Sequence, residues 1–139
     1  MNEMTFDDLE IGDLLPAHEG GPISRHDLAL YCGASGDHNP IHVDIDAARR
    51  AGQSDVFAHG MLSMAYLAQL LTAWVPQEQI REFGVRFVAI TPVHARVRCT
   101  ARVADKFETD GERRVRLSLD AHTDAGLHTL AGEAIVALA

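Results

Sequence analysis

The most constraining stretch of this chain runs from Met61 to about Val75 and is almost entirely apolar: Met61, Leu62, Met64, Ala65, Leu67, Ala68, Leu70, Leu71, Ala73 and Trp74. It contains no glycine or proline, it is too long for an ordinary strand, and it falls short of a membrane span. A helix that is apolar on nearly every face belongs inside a protein. Pro76 stops it. Beyond Pro76 the period changes to two. Phe83, Val85, Phe87 and Ala89 alternate with other residues, as do Ala95 to Val103 and Val115 to Ala121, and a last apolar segment spans Leu130 to Leu138. Strict alternation marks strands with one buried face. Asp110-Gly111 and Asp124-Ala125-Gly126 are hairpin turns. An antiparallel sheet wrapped around one long helix buries both apolar surfaces at once, an α+β architecture.

Before the helix the chain is less regular. Residues 11–19 suggest a short first strand broken by Pro16. Ser24-Arg25-His26-Asp27 reads as a capped helix start, continuing to about Gly33–Ser35 with Gly36 as breaker. Asp44 caps a second short helix that Gly52 ends. The 139 residues fit one domain, 1–139, large enough for a substantial core.

The formal charge of −8 is carried by residues 1–60, and the remainder is neutral. So acidic a chain is a poor candidate for nucleic acid, where phosphate contacts dominate affinity. Seven cations do gather within 96–116, as solvated strand faces or as a patch for an acidic carrier or a phosphate. No run of 18 apolar residues exists, and the acidic N-terminus lacks a signal pattern, so a cytoplasmic protein off the membrane is expected. Cys32 and Cys99 have neither metal-ligand nor disulfide spacing and read as buried free thiols.

Chemistry concentrates in Gly36-Asp37-His38-Asn39-Pro40-Ile41-His42. A carboxylate precedes an imidazole by five residues across a turn that Asn39-Pro40 stiffens. Taken singly, Asp37 is a turn carboxylate and His42 a core histidine. Together they form an acid/base pair able to share one water. Asn39 holds the loop through side-chain-to-backbone bonds. Gly60 stands where the buried helix starts, its amide free of any intrahelical partner and favoured by the helix dipole for negative charge. An acid/base pair beside such an amide is suited to adding or removing water next to a polarised carbonyl. His59 could orient this group or serve the fold. The other histidines show no metal-ligand pairing, and this chemistry requires neither metal nor cofactor.

A buried central helix, an antiparallel sheet and the G-D-x-N-P-I-H motif, with Tyr31, Asp44 and Ala58-His59-Gly60-Met61-Leu62, together resemble the hot-dog fold. More narrowly they resemble the MaoC-like, (R)-specific enoyl-thioester hydratase/dehydratase family. Chain length, Trp74-Val75 and Val85-Arg86-Phe87 are most similar to the β-subunit type of mycobacterial (3R)-hydroxyacyl-ACP dehydratase. The resemblance implies a lyase that reversibly hydrates trans-2-enoyl thioesters of CoA or ACP in fatty-acid metabolism. It further implies Asp37 and His42 as catalytic dyad, the Gly60 N–H as oxyanion donor, and a homodimer or a heterodimer with a second hot-dog subunit. Leu62, Met64, Leu67 and Leu71 are then candidate acyl-tunnel walls, or ordinary core. Ala68 stands where some relatives carry a serine, for which Ser63 or Tyr66 could compensate. Two alternatives remain. One is a hot-dog thioesterase, disfavoured because residues 61–75 hold no carboxylate. The other is a non-catalytic acyl-binding subunit, disfavoured by the intact pair.

Overall fold

The structure, a computed structural model, describes residues 4–139. Five antiparallel strands form one sheet: β1 (His18–Gly20), β2 (Ile80–Phe87), β3 (Val97–Thr109), β4 (Glu112–Thr123) and β5 (His128–Leu138). Their order across the sheet is β1-β3-β4-β5-β2. The expected hairpins join β3 to β4 and β4 to β5. At the first, Asp110 and Gly111 both adopt positive φ (52° and 74°), the geometry of the hairpin turn whose twist matches its strands. β2 lies beyond β5 and forms one edge of the sheet.

The described residues also form three α-helices: α1 (Arg25–Ser35), α2 (Ile45–Arg50) and α3 (Gly60–Trp74). Ser24 Oγ accepts from the Asp27 amide at 3.0 Å, and the Asp27 carboxylate accepts from the Ser24 amide at 2.8 Å. This reciprocal cap fixes where α1 begins. Gly36 closes α1 in the left-handed region (φ 75°).

α3 packs on the sheet with Leu67, Leu70 and Leu71 against Val97, Cys99, Ala101 and Val103 of β3 and Val115, Leu117 and Leu119 of β4. This is a hot-dog fold. The helix is not covered on all sides, as its composition suggests. The sheet buries one face, while Gln69, Thr72 and Ala73 are exposed and Met61 is 57% exposed. Met61 is the large apolar side chain that α3 leaves in solvent.

One strand breaks where expected and another runs past its expected end, each for a local reason. The first strand is split at Pro16. Leu14 bridges to Arg102, and pairing resumes only at His18–Gly20 opposite Cys99–Val97, since proline has no amide to donate. β3 continues past Val103, where the alternating pattern stops, because a register shift between Val103 and Asp105 inserts Ala104. A bulge of this kind resets which residues face inward.

The cations of 96–116 are largely engaged within the fold. Arg98 pairs with Glu19 at 2.6 Å, Arg113 with Asp7 at 3.0 Å, Arg114 with Glu112 at 2.8 Å and Arg116 with Glu133 at 3.1 Å. Arg102 and Lys106 donate to the Gly12 and Leu9 carbonyls. Arg98, Arg102, Lys106 and Arg113 thereby tie the N-terminal segment to the sheet. Arg81 and then Arg114 hold the Glu112 carboxyl at about 2, well below the usual carboxylate range. Both cysteines are buried and free, and burial pushes the Cys99 thiol up to about 12.

Candidate active site

The site is built from a chain of local turns. Ser35, the last residue of α1, donates its hydroxyl to the Tyr31 carbonyl at 2.6 Å and accepts from the Asp37 amide at 3.1 Å. Asp37 Oδ1 accepts from the Asn39 amide, and Asn39 Oδ1 from the Ile41 amide, each at 3.2 Å. Pro40 opens a single 3-10 turn, Pro40–His42. Each short polar side chain thus bonds two residues ahead, the habit that makes Asp and Asn turn formers. The loop leaves Asp37 at its surface and sends His42 inward.

His42 is 6% exposed. Its Nδ1 lies 2.7 Å from the Phe57 carbonyl, which can only accept. Nδ1 therefore carries the proton, and in the neutral ring Nε2 presents a lone pair. That Nε2 lies 3.9 Å from Asp37 Oδ2. The gap is too long for a direct hydrogen bond, and one water oxygen fits within reach of both atoms. The Asp37 side chain is 55% exposed, so one member of the pair faces solvent and the other the interior.

His59, 2% exposed, stacks on His42 with ring centres 3.7 Å apart and planes 23° from parallel. Its Nε2 donates to the Asp37 backbone carbonyl at 3.1 Å, and Cys32 Sγ lies 3.6 Å from the same nitrogen. Tyr31 meets the His59 ring edge-on at 4.7 Å. Burial holds His59 below the ordinary imidazole value, partly opposed by its bond to the Asp37 carbonyl. His59 therefore stays neutral beneath the pair.

A stability effect follows. Because its folded value is depressed, His59 contributes stability that is complete above the ordinary imidazole pKa of about 6.5 and is lost as pH falls through the folded value. The melting temperature should drop between pH 7.5 and pH 5, and less steeply in His59→Gln. Equal slopes in the two proteins would remove His59 from this role.

Gly60 is the first residue of α3. It borders a pocket of about 290 Å³ whose walls include Phe57, Ser63, Phe87, Ile90 and Leu130. Asp37, His42, His59 and Gly60 thus gather at one end of α3, with Asn39 in the supporting turn. Leu67 and Leu71 are wholly buried core and line no part of this pocket. The donor atoms of Asp37, His42 and His59 lie within 4.8 Å of one another. Backbone carbonyls already engage His42 Nδ1 and His59 Nε2, which leaves one ring nitrogen of each imidazole free.

Sequence comparison matches residues 9–125 to the profile of the MaoC like domain. The chain belongs to this MaoC-like family. It is 35% identical over 68 residues to a mitochondrial 3-hydroxyacyl-[acyl-carrier-protein] dehydratase of Arabidopsis thaliana, covering 49% of this chain and 40% of that protein. It is 33% identical over 85 residues to 3-hydroxyacyl-thioester dehydratase Z of Mycobacterium tuberculosis, covering 57% of this chain and 56% of the relative. The matches thus span about half the length of these relatives. Among solved structures, R-hydratase PhaJ1 of Pseudomonas aeruginosa superposes with a TM-score of 0.83 at 25% identity, covering 98% of this chain and 86% of that one.

Proposed function

We propose that this chain catalyses the reversible hydration of trans-2-enoyl thioesters to (3R)-hydroxyacyl thioesters, with CoA or acyl carrier protein as carrier. The observation that carries this reading is the Asp37–His42 pair, spaced for one shared water, with His42 stacked on His59, the residue before Gly60. In dehydration His42 Nε2 takes the proton from C2, and Asp37 in its acid form protonates the leaving C3 hydroxyl. The Gly60 N–H stabilises charge on the thioester oxygen. Water leaves, and a proton passes back from His42 to Asp37 across the gap between them. Hydration is the reverse. The names of the dehydratase and hydratase relatives support the reaction class. The R stereochemistry rests on the R-hydratase likeness.

The decisive experiment follows crotonyl-CoA by loss of enone absorbance and by product mass. A 3-hydroxybutyryl product with no free CoA is expected. Release of free CoA without a hydroxyacyl product would make the chain a thioesterase, and tight acyl binding without turnover would make it the non-catalytic subunit.

The reading includes a second hot-dog chain, identical or related. Edge strand β2 has one open side. At its end Phe87 (55% exposed), Val88 (50%) and Ile90 (41%) form an apolar rim around the pocket. Such a patch is costly to leave in water. A partner over it would also enclose the site. Sedimentation should show a dimer of the chain, or of the chain with its partner, that Val88→Lys dissociates. A wild-type monomer at high concentration, active without any partner, would sink this part. Two buried free thiols suit a reducing compartment, and we assign the chain to the cytoplasm.

A further inference from the structure

His59 is buried between α1 and the turn that carries Asp37 and His42, so its hydrogen bonds can be counted. Its Nδ1 is buried and has no partner. Its Nε2 has two neighbours, the Asp37 carbonyl at 3.1 Å and Cys32 Sγ at 3.6 Å. A neutral imidazole carries one ring hydrogen. If the Cys32 thiol donated to Nε2, that hydrogen would sit on Nδ1 with no acceptor, and the Asp37 carbonyl would lose its donor. With the hydrogen on Nε2, only the Nδ1 lone pair goes unmatched. The second arrangement leaves fewer polar groups unsatisfied and is favoured.

Cys32 stands in the last turn of α1 at 5% exposure, and its own carbonyl accepts from the Gly36 amide at 3.0 Å. A thiol is weak both as donor and as acceptor. It therefore fills the space beside His59 Nε2 without dividing that hydrogen, where a hydroxyl would compete on both counts. The bond it protects closes a short path. The Asp37 amide is bound to Ser35 Oγ at 3.1 Å and the Asp37 carbonyl to His59, which fixes the backbone on both sides of a half-exposed side chain. That backbone holds the carboxylate 3.9 Å from His42 Nε2.

We propose that Cys32 is a positioning residue for the Asp37–His42 pair: its weakly bonding thiol leaves the His59 Nε2 hydrogen to the Asp37 carbonyl, and through that bond sets where the carboxylate stands. The inference rests on reading Asp37 and His42 as the proton-transfer pair of the proposed hydratase. Cys32 itself touches no reacting atom.

The test has two arms. In the first, isotope-labelled histidine gives ring-nitrogen NMR shifts, with His59 assigned by its absence in His59→Gln. In mildly alkaline buffer the shifts should place the hydrogen on Nε2 in the wild type and in Cys32→Ala, and should show it redistributed in Cys32→Ser. The second arm is steady-state hydration of crotonyl-CoA. Cys32→Ser should lower kcat about tenfold with KM little changed, roughly the worth of one hydrogen bond, and Cys32→Ala only about twofold. A packing role predicts the reverse order, because serine nearly fills the site and alanine leaves a gap. Alanine losing as much as serine, a serine variant within about twofold of wild type, or a wild-type hydrogen on Nδ1 would each overturn the proposal. The wild-type shifts decide the last point even where a substituted chain fails to fold. A chain inert toward enoyl thioesters that shows the expected shifts would overturn the hydratase reading and leave the Cys32–His59–Asp37 arrangement standing.

Discussion

Asp37→Asn and His42→Gln are each expected to lower kcat/KM for enoyl-thioester hydration by about 10²–10⁴-fold in a chain that still folds. The Asp37 substitution is the cleaner of the two. Its side chain is half exposed, and an amide oxygen can accept from the Asn39 N–H as the carboxylate does. The loop is therefore kept while the proton-accepting charge is lost. His42 is buried and bonded to Phe57, so its variant should also melt a few degrees lower. The double variant should be little worse than either single one, because two groups that serve one water act as a unit. Circular dichroism and a chain-length-matched assay check these points. Either single variant retaining more than a tenth of wild-type kcat/KM would remove that residue from the proton transfers.

How far the site could be read in advance follows from where its contacts lie. Asp37, Asn39 and His42 belong to one turn, so their mutual placement is local and the G-D-x-N-P-I-H spacing carries it. The cap of α1, the stop at Pro76 and the hairpin at Asp110-Gly111 are local in the same sense. The partners that define the state of His42 are not local. Phe57 fixes its tautomer and His59 stacks on it only because residues 51–59 fold back across the loop, and no periodicity announces that. The neighbour relation of β2 and β5 is likewise a long-range pairing. Ala104 hides the second half of β3, since a bulge breaks the alternation by which strands are recognised. Ser63 left a faint signal, as a hydroxyl on the buried face of an otherwise apolar helix asks for a partner. That this partner is Thr91, 28 residues on, emerges only from the fold. Leu67 and Leu71, by composition tunnel walls or ordinary core, are core, because the sheet takes the face of α3 on which they lie.

Gly60→Pro should lower kcat by about 10²–10³-fold, well beyond the loss from Gly60→Ala. Proline is favoured at the first position of a helix, where its missing amide has no intrahelical role. The preceding residue must be extended, and His59 already is, with φ −55° and ψ 136°. The backbone can thus accept proline without rearrangement. Both variants add a Cβ that meets the Phe87 ring edge at about 2.8 Å, a half-exposed side chain with room to swing aside. Alanine therefore controls for that contact and keeps the N–H. Proline removes the hydrogen that would bond the thioester oxygen as charge builds on it. If the amide acts mainly in the transition state, kcat falls and KM changes little. If the two variants lose the same activity, the donor is not this amide, and the crowding of Phe87 against α3 would account for both.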